Sequence, residues 1–387
     1  MATQAERLIR RAPPFAFASF EAYDQALKQK NGYQYDKDQL YHRDGFPALW
    51  QLEQQIAGLV GADGDHVLLT TSGMSAVTSA IELSAPTRDD VVLHSSQGYS
   101  ETIGYITEDL RERGIRPKAV DAGSINNIAR ALQIHRPKLT VLETGTNAPE
   151  MWLLEVERFL ELQVLHEVDP WIVLDNTLPT NSHLPLAELI RNSSLKILGV
   201  ESATKSYALN QDLGGIVFTY HPIALEKIHK KRRRVGAAPG PSLVEKLKGV
   251  IPPDKEQFDR ENRTIAYNTL QLAIACFQAT GSGEKFVVSH PNLPGHPNYD
   301  YAQRRYPNGV TPVFFIQPSD ITLSERMIAE SFEHNGITEN CYIAQSFGFD
   351  KTGLLYQRGY VRVAGGLENP SQVATLQEQF SQALSSL

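Results

Sequence analysis

The chain has 387 residues, too many for one simple core, so two domains are the default expectation. Its composition, 41% hydrophobic and 21% charged, is that of an ordinary soluble globular protein and excludes fibrous or disordered classes. A net charge of −7 gives no basic field to recruit nucleic acid, and no apolar run reaches the roughly 18 residues that cross a bilayer.

In chain order, residues 1–45 are polar, with scattered Tyr and Pro, and read as an arm. "PALWQLEQQIAGLVGA" (47–62) has apolar residues at helical spacing and stops near Gly61. An alternating rhythm follows. "HVLLTT" (66–71) reads as a buried strand and "GMSAVTSAIELS" (73–84) as a helix. "DVVLH" (90–94) is the next strand, and "TEDLRERG" reads as a helix with a glycine stop. "KLTVLET" (138–144), "WIVLD" (171–175) and "LKILGVE" (195–201) are three further strands. Strands alternating with helices imply a mostly parallel sheet covered on both faces. "PIALEKIH" is helix-like, and the basic run Lys230 to Arg234 after it reads as a solvated helix face or interface edge rather than a nucleic-acid patch.

From about 245 the rhythm loosens. A long helix is expected after Pro253, a rigid Pro-rich crossing at "HPNLPGHPNY" (290–299), and strands at "TPVFFIQP" and "YVRVAGG". The expected division is an arm over 1–45, a large α/β domain over 46–245, and a smaller α+β domain over 246–387. Two widely separated cysteines, Cys276 and Cys341, form neither a disulfide framework nor a zinc spacing. With no apolar core of signal-peptide length at the N-terminus, a cytoplasmic protein is expected.

In open α/β sheets, ligands bind beyond the carboxyl ends of the strands, and the unusual residues cluster there. Ser72-Gly73-Met74 open a helix, where free N–H groups and the helix dipole favour an anion; a plain N-cap is the simpler reading. Tyr99 follows a glycine and could be surface packing or a stacking platform. Glu143 and Asn147 follow the third of these strands, Asn147 most simply as a turn residue. Asp175 ends the next, as a turn cap or as an acid for a ring nitrogen. "ESATKSY" (201–207) places Lys205 between small hydroxyls, as a solvated loop lysine or as an amine for covalent chemistry. Jointly these are the parts that pyridoxal phosphate needs: a phosphate cradle, an aromatic, an acid and an amine.

These motifs resemble, in order and spacing over about 41–370, the Cys/Met-metabolism enzymes dependent on pyridoxal 5′-phosphate (PLP), of aspartate-aminotransferase-like (type I) fold. The cystathionine γ-synthase, cystathionine and methionine γ-lyase and sulfhydrylase enzymes belong to that group. By this resemblance Tyr41 and Arg43 of "YHRDG" reach the cofactor phosphate of a neighbouring subunit. "TTSGMSAV" gives the phosphate loop with Gly73 and Met74. "GYSET" gives Tyr99 over the ring, "ETGTNAPE" gives Asn147 near the ring oxygen, and "LDNTLPTN" gives Asp175 at the pyridine nitrogen. "SATKSYALNQDLGG" gives Lys205 as the Schiff-base lysine with Ser202 and Thr204 on the phosphate. "AQSFG" and "VRVAGGLE" give Ser346 and Arg362 for the substrate carboxylate, and shared sites imply a homodimer, built into a homotetramer.

Two departures bear on the substrate. Glu101 stands where many members have Gly-Gly or Gly-Cys, either facing the substrate side chain or turned to a surface base. Residues 236–265 lack the family's usual Arg-Gly-Leu-rich pattern. The resemblance therefore implies a lyase or transferase acting at the γ- or β-carbon of an L-amino acid, with a specialised substrate. Transamination or decarboxylation on the same fold is the alternative. A catalytically silent cofactor-binding scaffold is the rival from another class, and the joint presence of Lys205, Asp175 and Arg362 argues against it.

Overall fold

The computed structural model describes residues 45–281, 285–319, 324–357 and 359–387, with Ser19 and Glu21 besides. Tyr41, Arg43 and nearly all of the expected arm lie outside the described residues.

Seven strands form the larger sheet: β1 (Val67–Thr70), β2 (Val91–Ser95), β3 (Arg116–Val120), β4 (Leu139–Glu143), β5 (Trp171–Asp175), β6 (Lys196–Ser202) and β7 (Gly215–Phe218). Their spatial order is β1-β7-β6-β5-β4-β2-β3. β3, β2, β4, β5 and β6 run parallel, while β7 is antiparallel to both neighbours, β6 and β1. Burial on both faces explains the continuous apolar runs. Alternate residues serve opposite sides: Leu69, Leu174 and Ile216 join one core cluster, and Leu68, Val173 and Val217 join the other.

The five expected strands of this sheet are all present. β3 and β7 were not anticipated. "RPKAV" of β3 is largely exposed at the sheet edge, where Arg116, Pro117 and Lys118 blunt the free side, so it lacks the apolar signature. β7 is only four residues long and starts at a glycine, which reads as a turn.

Helix α1 (Pro47–Val60) starts with proline in its first turn and ends at Gly61, whose φ of +75° supplies a left-handed cap. Helix α2 (Gly73–Leu83) follows β1, the one-turn α3 (Ala203–Ser206) follows β6, and α4 is Pro222–Arg234. The basic run is not wholly a solvated face. Arg232 is buried, forms an ion pair with Glu53 of α1, and donates to Leu69 O of β1 at 2.9 Å. Glu53 Oε1 accepts from Leu69 N–H at 2.9 Å, so one ion pair ties α1, β1 and α4 together.

The second sheet has five strands, β8 (Phe286–Ser289), β9 (Val313–Pro318), β10 (Tyr342–Ile343), β11 (Gly353–Gln357) and β12 (Tyr360–Ala364), in the order β10-β11-β12-β9-β8. It is antiparallel except for β10 beside β11. Between the sheets runs α5 (Lys255–Ala279), capped by the Asp254 side chain. Its Phe258 lies in the core of the larger sheet and its Leu272 and Cys276 in that of the smaller. The last helix, α6 (Pro370–Ser385), opens with a reciprocal cap between Asn369 and Gln372 and covers the smaller sheet with Leu376 and Phe380. The Pro-rich crossing is pinned by Asn298, whose buried side chain bonds both Leu153 N–H (2.9 Å) and Leu153 O (3.2 Å).

Candidate active site

The carboxyl ends of β4, β5 and β6 open onto a cavity of about 320 Å³ that the smaller domain closes with Gln345, Phe347 and Arg362. That volume lies within the range of small-molecule sites. Its walls carry ionisable groups of both kinds: the carboxyls of Glu143, Asp175 and Glu201, and the basic side chains of Lys205 and Arg362.

One end is a cradle. Ser72 is extended (φ −164°), which stops the strand and caps α2: its Oγ accepts from Ser75 N–H at 3.1 Å, and its N–H donates to Ser75 Oγ at 2.8 Å. The first N–H groups of a helix have no intrahelical partner, and Gly73 and Met74 bring theirs to the cavity. A Cβ on Gly73 would stand 2.9 Å from Ser202 Cβ and Oγ, and one on Gly215 only 2.0 Å from Ser72 O. Both positions need glycine so that the β1–α2 turn can seat against the ends of β6 and β7. Thr204 also lines the cavity, yet its hydroxyl is engaged with Gly214, accepting from the N–H at 3.0 Å and reaching the carbonyl at 3.3 Å.

The floor is acidic. Parallel register places Glu143 of β4 directly beside Asp175 of β5. Asp175 accepts from Thr177 N–H at 2.9 Å, and burial raises its carboxyl above the usual range. Burial and then the neighbouring Asp175 push the Glu143 carboxyl up to about 8. Glu143 accepts the backbone N–H of Tyr99, so the end of β4 holds the aromatic in place. Tyr99 itself is 46% exposed at the mouth. Glu101 is exposed and outside the cavity wall, but its charge acts on the Tyr99 phenol, which burial first and Glu101 second hold above its ordinary range. Behind the floor, Glu201 is fully enclosed by Asn176 Nδ2 (2.7 Å), Asn181 Nδ2 (2.6 Å) and the Tyr207 hydroxyl.

The opposite wall is basic. Lys205, on α3, donates to Ser346 Oγ. Burial and then the nearby Arg362 lower its amine to about 8, so roughly a tenth is uncharged at pH 7, far more than for an ordinary lysine. Arg362 projects from β12, is 5% exposed, and burial lowers its guanidinium to about 10. Its Nη2 donates to Gln345 O and Ser346 O, both at 2.8 Å, and its Nη1 lies 3.5 Å from Asn147 Oδ1. Its Nε is buried with no partner among the described residues. A buried guanidinium with an unmet donor fits an anionic group entering the cavity.

The donor set fits a phosphorylated pyridine aldehyde and its amino-acid substrate. The α2 cradle could take a phosphate, the Asp175 carboxyl a ring nitrogen, the depressed amine an aldehyde, and the unmet guanidinium donor a carboxylate. Residues 4–251 match the family model described as Cys/Met metabolism PLP-dependent enzyme. The chain belongs to this family. Its cofactor is therefore PLP and it is an enzyme. The chloroplastic mimosinase of Leucaena leucocephala is 26% identical over 82% of this chain and 68% of its own. Cystathionine γ-lyase of Rattus norvegicus is 26% identical over 69% of this chain and 62% of its own, so the chain spans about two thirds of the length of such relatives. A crystal structure of cystathionine γ-synthase from Xanthomonas oryzae pv. oryzae, in complex with cystathionine, superposes with a TM-score of 0.74 at 20% identity. It covers 96% of this chain and 92% of that one, and shows the same fold.

Most residues singled out from the sequence converge on this cavity. Ser346 joins through Lys205, and Glu101 stays outside the wall. Sequence reasoning assigned no role to Glu143, Glu201 or Asn210. Glu143 sat at a strand end beside recognised motifs, and its spacing to Asp175 appears only once the strands are paired. Among the described residues no helix is long and apolar enough to cross a membrane, and no cluster of metal-ligating side chains occurs.

Proposed function

We propose that this family member eliminates or replaces a substituent at the γ- or β-carbon of an L-amino acid. The observation that carries the reading is the convergence of a half-buried lysine, Lys205, and a buried arginine, Arg362, on one cavity floored by Asp175. Bound PLP supplies an electron sink for the pair left when a bond at Cα breaks. Asp175, as a carboxylate, holds a proton on the ring nitrogen. The α2 N-terminus, with Ser202, would hold the phosphate, and Tyr99 and Asn147, which line the same cavity, would contact the ring. Arg362 grips the α-carboxylate in a two-pronged bond, which orients Cα. Lys205, once free, takes the Cα proton and moves protons at the neighbouring carbon as base and then acid. Similarity to a mimosinase and a cystathionine γ-lyase supports side-chain chemistry over amino-group transfer.

Tyr41 and Arg43 are read as completing a neighbouring subunit's phosphate site, which makes the working form a homodimer within a homotetramer. Two free, buried thiols, Cys276 and Cys341, support a reducing, cytoplasmic setting. We read the domain limits as near 45 and 245, which would put β1–β7 in the larger domain and β8–β12 in the smaller. The test is a screen of γ- and β-substituted amino acids that scores keto acid and ammonia against replacement product. Release or exchange of the side-chain substituent is expected. Amino-group transfer or carbon dioxide release with the substituent retained would overturn the reading.

A further inference from the structure

Asn210 lies between α3 and β7 with a φ of +60°, directly after Leu209 at +45°. This left-handed region is open to Asn at modest cost but strained for a leucine, and such conformations persist only where surrounding bonds enforce them. The bonds are present. Asn210 N–H donates to Thr204 O at 2.8 Å, tying it to the turn that carries Lys205. Its Nδ2 donates to Phe347 O at 2.6 Å and to Gly348 O at 3.1 Å, in the loop that closes the cavity. Its Oδ1 accepts from Ser346 Oγ at 2.6 Å. The same loop presses on Lys205 from behind: a Cβ on Gly348 (φ +78°) would stand 2.9 Å from the Lys205 carbonyl carbon.

The chain of donors has one direction. Lys205 Nζ donates to Ser346 Oγ, and Ser346 donates onward to Asn210 Oδ1. With its only proton committed to Asn210, the Ser346 hydroxyl turns a lone pair to the amine. We propose that Asn210 is a positioning residue, which fixes Ser346 as the acceptor for Lys205 and so sets where that amine stands when it carries a proton. The inference rests on the reading of Lys205 as proton carrier. Other ionisable groups that share the cavity are Arg362 from β12, Tyr99 after β2, Glu143 from β4, Asp175 from β5 and Glu201 from β6.

The test uses three variants of the full-length chain: Asn210→Gly, which keeps the left-handed backbone without strain, Asn210→Asp and Ser346→Ala. In cofactor-free protein, acylation of Lys205 by acetic anhydride is followed against pH by peptide mass spectrometry. Asn210→Gly and Ser346→Ala each weaken the acceptor of the charged amine, so both midpoints fall. Asn210→Asp adds a carboxylate at the end of the chain, and its midpoint rises by about one unit. In loaded enzyme, Asn210→Gly lowers kcat about tenfold with KM within about twofold, and adding it to Ser346→Ala costs nothing more. An unmoved midpoint, shifts of one sign for Gly and Asp, or additive losses in kcat would overturn the proposal. Should no amino acid be turned over at all, the function reading fails while the opposite midpoint shifts still decide this one.

Discussion

Glu143 and Asp175 are register partners at the ends of two adjacent parallel strands, one buried and one half-buried carboxyl side by side on one cavity floor. Like charges this close do not both ionise readily in a low-dielectric site. Burial and Asp175 push the Glu143 carboxyl up to about 8, so it keeps its proton at neutral pH, and the proposed function assigns the carboxylate role to Asp175. The two acids should therefore respond differently to the loss of charge. Asp175→Asn should slow turnover by at least about 100-fold. Glu143→Gln keeps an acceptor for Tyr99 N–H and mimics the protonated acid, so turnover should stay within about fivefold of the parent. Steady-state kinetics on both variants decides; equal losses would show that Glu143 works as an anion.

The depressed amine of Lys205 predicts how the cofactor attaches. The free base is the nucleophile. Because the folded amine titrates near 8 rather than 10.5, attachment of PLP to cofactor-free chain should quicken with pH up to about 8 and level off above it. The growth of visible absorbance after mixing reports this rate. A rise that continues to pH 10 would place the lysine in water, and Lys205→Ala should give no covalent cofactor at any pH.

Arg362 gives Nη2 to two carbonyls and Nη1 weakly to Asn147, which leaves Nε without a partner among the described residues, and the proposed function offers that edge to the substrate carboxylate. A lysine offers a point charge without the guanidinium fork. Arg362→Lys should lower kcat/KM for the amino acid by about 30-fold, mostly through KM, with cofactor absorbance retained. An unchanged KM would place the substrate carboxylate elsewhere.

Glu53 and Arg232 form a buried pair that takes no part in the cavity wall. Removing one partner strands a charge, so Arg232→Ala should lower stability by about 3 to 5 kcal/mol. Glu53→Met with Arg232→Leu should recover part of that loss. Urea unfolding followed by tryptophan fluorescence measures both, and an unaltered midpoint for Arg232→Ala would mean the pair contributes nothing.

Much of the site was legible because its parts sit at strand ends, where short motifs survive without knowledge of packing. Asp175, Lys205 and Arg362 each follow or occupy an apolar run, and each projects into the cavity. Arg232 was misread because a run of five basic residues looks uniform in sequence, while a helix turns one of the five inward. Glu143 and Asn210 stayed silent for another reason. Their importance lies in what they touch across the fold, at Tyr99 and at the 346–348 loop, and no spacing along the chain encodes such contacts.

Helix α5 has Phe258 in one core and Cys276 in the other, and at about 1.5 Å per residue it spans nearly 40 Å. It is therefore a member of both domains rather than a tether between them. Anyone building chimaeras within this family would have to exchange that helix together with both of its docking surfaces, since a crossover inside it would pair one parent's apolar face with the other parent's socket.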